Sequence, residues 1–98
     1  PIIATDYSGN LDFMDAESAL LIDADMVLVG PGLRPYPAGA LWAEARLDDA
    51  ADAMRRLVAD PDLARRVGAS ARRKMQSMPG EQEFIDRMST LLGLHLRR

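Results

Sequence analysis

The chain has 98 residues, 48% hydrophobic and 28% charged, with a net charge of −3, no cysteine and a single histidine. This composition suits one small soluble globular domain and excludes disulfide scaffolds, thiolate or histidine-rich metal centres and low-hydrophobicity disordered chains. The longest apolar runs, Ala19–Ile22 and Met26–Val29, are far short of the roughly 20 residues of a membrane helix, and no signal-peptide pattern opens the chain, so a cytoplasmic location is expected.

The charge is unevenly spread: residues 1–62 carry twelve acids and four bases, residues 63–98 three acids and eight bases. Arg65, Arg66, Arg72, Arg73 and Lys74 can face phosphates, a membrane surface or the acidic half of the same chain, and a solvated helix face is the plainest reading. No aromatic residue is interleaved with them, which argues against nucleic acid as a partner.

In chain order, Pro1–Thr5 reads as a short buried strand, ended by a turn at Ser8-Gly9-Asn10, and Asp12–Glu17 as one helical turn. Ala19–Ile22 and Met26–Val29 read as strands separated by Asp23-Ala24-Asp25, with the unbroken apolar character of strands covered on both faces. Three prolines and three glycines between Gly30 and Gly39 predict a loop of limited freedom, with Arg34, Pro35 and Tyr36 at its tip. Leu47–Ala59 has the spacing of an amphipathic helix, with Leu47, Ala50, Ala51, Met54, Leu57 and Val58 apolar and with Asp48, Asp49, Arg55 and Arg56 at the ends the helix dipole favours.

Asp60-Pro61 ends that helix and caps a second, along which Leu63, Val67, Ala71, Met75 and Met78 form a narrow stripe. Pro79-Gly80 breaks the chain, and Phe84, Ile85, Met88, Leu91, Leu92 and His95 mark a third helix. This inventory of an α/β chain, a few short parallel strands followed by three helices, is odd for an independent domain because it leaves strand edges open. It is natural as the last third of a Rossmann-like doubly wound domain whose other strands precede Pro1.

The turn Ser8-Gly9-Asn10 follows a strand and precedes a helical start, a geometry that presents N–H groups and a hydroxyl to phosphate or sugar oxygens, although a plain capped turn uses the same residues. Asp6, Asp12, Asp15 and Glu17 cluster without matching a calcium-loop spacing, and helix capping accounts for them more simply. Trp42 reads as a plug on one edge of a core rather than as a stacking platform with Tyr36. The methionines Met54, Met75 and Met88 read as core or as a face for absent chain. Neither a metal site nor a cofactor site is predicted.

Pro1–Met14, the run Tyr36-Pro37-Ala38-Gly39-Ala40-Leu41-Trp42-Ala43-Glu44, and Asp48–Val58 with Asp60-Pro61 together resemble the C-terminal end of a bacterial retaining family 4 glycosyltransferase. The resemblance covers most of residues 1–78. It implies a two-domain GT-B parent of the kind found in polysaccharide biosynthesis, in which residues 1–98 are the C-terminal fragment of the nucleotide-sugar-binding domain. Such a transferase moves a sugar from a nucleotide-diphosphate sugar to a polysaccharide or lipid-linked acceptor, near the inner membrane.

Of the residues present, the Ser8-Gly9-Asn10 turn is the expected nucleotide-sugar contact, and the resemblance packs the last helix against the missing N-terminal domain. The family's paired glutamates, seven residues apart, have no counterpart here, and Ala43-Glu44-Ala45-Arg46 departs from the usual Ala-Glu-Pro-Asp. No catalytic residue is therefore assigned within the chain, and the fragment is expected to be inactive alone. The alternative reading is a non-catalytic helical module that binds a partner or forms a homo-oligomer; peripheral membrane contact through residues 65–74 is compatible with the glycosyltransferase reading but weakly supported.

Overall fold

A computed structural model describes residues 1–93, and the expectation for His95 lies outside the described residues. The chain is mixed α/β, with short strands and three α-helices in the order β1 (Ile3–Thr5), β2 (Leu20–Ile22), β3 (Ala24–Leu28), β4 (Leu41–Ala45), α1 (Leu47–Ala59), α2 (Pro61–Gln76) and α3 (Glu81–Leu91). A 3-10 helix at Ser8–Asp12 follows β1.

Strands β1 and β2 pair in parallel, Ile3 opposite Leu20 and Thr5 opposite Ile22. The ladder is lengthened at both ends by Leu20 N–H to Ile2 C=O at 2.9 Å and Asp6 N–H to Ile22 C=O at 2.8 Å. Period-2 alternation puts Leu20 and Ile22 on one face. There they meet Ala53 of α1 and Val67 of α2 in the core, with Ile3, Ala45, Ala50, Leu57 and Leu63 packed around it.

Helix α1 keeps its predicted bounds, but the face it buries is narrower than the apolar spacing suggested. Ala50, Ala53 and Leu57 point inward, while Leu47, Met54 and Val58 are 82%, 59% and 83% exposed. Asp60 closes α1 and opens α2: its N–H bonds the Arg56 carbonyl at 2.9 Å, and its carboxylate accepts from Leu63 N–H at 2.9 Å. Pro61 fills the first helical position, where no N–H is needed.

Four expectations are corrected. The helical turn lies at Ser8–Asp12 rather than Asp12–Glu17, because the Asp15 carboxylate instead accepts from the N–H groups of Glu17 and Ser18 at 3.1 and 3.0 Å, forming a side-chain-closed turn. The second apolar strand starts at Ala24, so only Asp23 separates it from β2. That strand is antiparallel rather than parallel, pairing with β4 from Ala24↔Ala45 to Leu28↔Leu41. Strand β4 itself was hidden behind the proline-rich loop.

The fourth correction concerns large side chains expected inside. Trp42 belongs to the hairpin, opposite Val27 and edge-on to Tyr36 with ring centroids 5.8 Å apart, and is not part of the core. Met54, Met75 and Met88 are exposed, so of the two readings of the methionine stripes the core one does not hold.

The molecule is thin, spanning 53 × 43 × 16 Å with a radius of gyration of 18.7 Å. A compact chain of this length has a radius near 13 Å. The excess arises because the β3–β4 hairpin contacts chiefly itself and, among the described residues, α3 packs closely on no other element.

Candidate functional site

The Ser8-Gly9-Asn10 turn stands at the C-terminal end of β1, the end at which open α/β sheets carry ligands. Ser8 holds φ at 70°, a left-handed conformation uncommon for a residue with a side chain. The Asn10 amide Nδ2 donates to the Thr5 carbonyl at 2.9 Å, which ties the turn back to its own strand. Phe13 and Met14 N–H groups close the far side on the Asn10 carbonyl at 3.2 and 2.9 Å.

The turn thus brings the three expected residues together with different duties. Asn10 is half-buried and spends its amide nitrogen on the fold, whereas Ser8 and Gly9 are exposed. Among the described residues the Ser8 hydroxyl has no hydrogen-bond partner, and the N–H groups of Ser8 and Gly9 donate to no carbonyl outside the turn. A Cβ added at Gly9 would meet nothing within 4 Å. The arrangement offers two backbone donors and a hydroxyl on an open surface, the chemistry that accepts phosphate or sugar oxygens.

The acidic residues near the turn do not gather into a site. Among the described residues no group of three histidine, cysteine or carboxylate side chains can hold a metal ion. Asp15 is committed locally: its carboxylate accepts from the Lys74 ammonium and from the hydroxyl of the buried Ser18, the latter at 2.8 Å. These donors hold its pKa down at about 2. Lys74 thereby pins the end of α2 to the β1–β2 connection.

Arg46 performs a similar duty at the hairpin. Its guanidinium grips Asp25 at 2.7 to 3.2 Å and reaches Asp23 at 3.4 Å, while its N–H bonds the Asp23 carbonyl at 3.1 Å. The fork to Asp25 raises the Arg46 pKa and lowers that of Asp25. Neither tether was foreseen, since the partners lie 59 and 21 residues apart in sequence.

Two hollows flank α2. One, of about 470 Å³, opens between β2 and the helices over Leu20, Ile22, Ala53 and Val67, with Asp49, Asp52 and Arg56 at its rim. The other, of about 540 Å³, lies between α2 and the Ala16–Glu17 segment. Among the described residues no helix is long and apolar enough to cross a membrane.

Comparison with known proteins supplies no relative: no family model, no curated protein and no solved structure matches this chain.

Proposed function

We propose that this chain is the C-terminal part of the donor-binding, Rossmann-like domain of a retaining GT-B glycosyltransferase, and that its turn at Ser8, Gly9 and Asn10 contacts the diphosphate or sugar of a nucleotide-diphosphate sugar. The observation that carries this reading is the turn itself. It sits at the C-terminal end of a parallel strand, and among the described residues the N–H groups of Ser8 and Gly9 and the Ser8 hydroxyl have no hydrogen-bond partner. The parallel pairing of β1 and β2, covered by helices on one face, adds support, because parallel strands belong to sheets that are covered on both. The chain's own share of the mechanism is to bind and orient the donor. The residues that would carry out transfer belong to the rest of the parent enzyme.

Calorimetric titration of UDP and GDP tests the proposal. Gly9→Asp is the chosen variant because its side chain meets open space and its carboxylate would repel a diphosphate. Saturable binding to the native chain, weakened at least about tenfold in Gly9→Asp, is the expected result. Equal affinity in both, or no binding to a folded native chain, would sink the reading.

A second reading, a non-catalytic helical interaction module, is favoured by one observation: α3 exposes Phe84 at 61% and Leu91 at 80%, and among the described residues no element packs closely against it. A defined oligomer in sedimentation equilibrium, together with absence of nucleotide binding, is its signature.

A further inference from the structure

The basic run of α2 resolves into two kinds of residue. Arg65 and Lys74 are engaged by Asp62 and Asp15. Arg66, Arg72 and Arg73 have no carboxylate partner among the described residues, although acids outnumber bases in the chain. Helical spacing sorts this stretch into two adjacent rows, Arg65-Ala69-Arg72 and Arg66-Ser70-Arg73, each an arginine, a small residue and an arginine.

Arginines seven residues apart begin about 10 Å from one another along the axis, and the small side chains between them leave a floor. That floor is the base of the hollow of about 540 Å³ closed on its other side by Ala16 and Glu17. Three arginines and one glutamate line it, and the half-buried Ser70 hydroxyl has no partner among the described residues.

We infer that this arginine-framed recess between α2 and the Ala16–Glu17 segment binds a small soluble phosphate-bearing ligand, with Arg66 and Arg73 gripping phosphate oxygens from either end and Ser70 donating between them. Guanidinium groups form paired, charge-assisted hydrogen bonds to phosphate, which favours this ligand class over carboxylates held singly. A recess, rather than a flat face, suits a small molecule. Of its apolar lining, Val67 belongs to the core and Leu63 packs against it, so neither is free to insert into a bilayer, and no aromatic ring lines the recess for a nucleobase to stack on. The recess is separate in sequence and in its lining residues from the Ser8–Asn10 turn, so the inference stands whether or not that turn binds a donor.

The test is titration of inorganic pyrophosphate into the chain at fixed ionic strength, with the same titration on Arg66→Ala/Arg73→Ala and Arg66→Lys/Arg73→Lys. Arg87→Ala serves as a charge control, because Arg87 pairs with Glu83 on α3. All these arginines are exposed, so unchanged circular dichroism is expected. The inference predicts saturable binding that falls at least about tenfold in the alanine pair, is partly kept by the lysine pair, and is unchanged in Arg87→Ala. Binding that survives the alanine pair, or falls equally in Arg87→Ala, would overturn it. A parallel arm uses phosphatidylcholine vesicles containing phosphatidic acid: association that pyrophosphate does not displace would overturn the assignment to a soluble ligand.

Discussion

Gly68 occupies the middle of α2, and nothing local demands a glycine there. Its φ is not positive, and a Cβ would lie 3.4 Å from the Pro1 nitrogen and 3.7 Å from the Pro1 ring, ordinary contact distances. In a helix interior glycine is about 1 kcal/mol less favourable than alanine, because it loses more backbone freedom on folding. Gly68→Ala is therefore predicted to stabilise the chain by about 1 kcal/mol, the new methyl group adding a small gain where it touches Pro1. In a domain of this size that corresponds to a rise of about 4–8 °C in Tm. Thermal unfolding followed by circular dichroism at 222 nm reads it directly. An unchanged or lowered Tm would refute the reasoning, because it would mean that α2 is not helical at Gly68 or that the Pro1 end approaches it too closely to yield.

Three further outcomes are expected. Val67→Ala, one residue away but facing the core at 6% exposure, should destabilise by about 2 kcal/mol in urea unfolding, towards the low end of core truncations because the hollow beside it is already open. Asp60→Ala should cost about 1 kcal/mol by removing the acceptor for Leu63 N–H, measured the same way and recovered by Asp60→Ser. The Asp15 carboxyl, depressed from 3.8 to about 2 by Lys74 and Ser18, contributes stability that is fully present above pH 3.8 and lost as pH falls through about 2. NMR titration should find that low pKa, Lys74→Met should raise it, and Asp15→Asn should flatten the stability profile across that window.

The helices were legible because their signals are local. The Asp60-Pro61 junction, the acidic first turn of α1 and the 3.6-residue spacing all act within a few positions. Spacing alone did not say which side of α1 is buried. Leu47, Met54 and Val58 are more apolar than Ala53, yet Ala53 is the residue that fits against β2, because only a small side chain allows that close approach. Strand β4 was missed because Leu41–Ala45 lacks β-branched residues and includes Glu44, so its pairing with β3 depends on the turn that joins them. That turn is set by Gly39 at φ 83° and the bonds between Val29 and residues 39 and 40.

At the candidate site, a strand followed by Ser-Gly-Asn was enough to mark the turn. The division of labour within it was not legible, since the bond from Asn10 to Thr5 arises only once the chain has bent through Ser8. The basic run of α2 was visible as charge, but its split into paired and unpaired cations was not, since one of the pairing carboxylates, Asp15, lies 59 residues from Lys74. Sequence spacing does hold one overlooked signal: the repeat of arginine, small residue, arginine in two neighbouring rows.

The most direct measurement of the central claim is heteronuclear NMR mapping of UDP and GDP onto the labelled chain. The donor-domain account predicts saturable shift changes centred on the amides of Ser8, Gly9 and Asn10, since Ser8 and Gly9 stand exposed in that turn. Changes confined to other residues, or none with the chain folded, would contradict it.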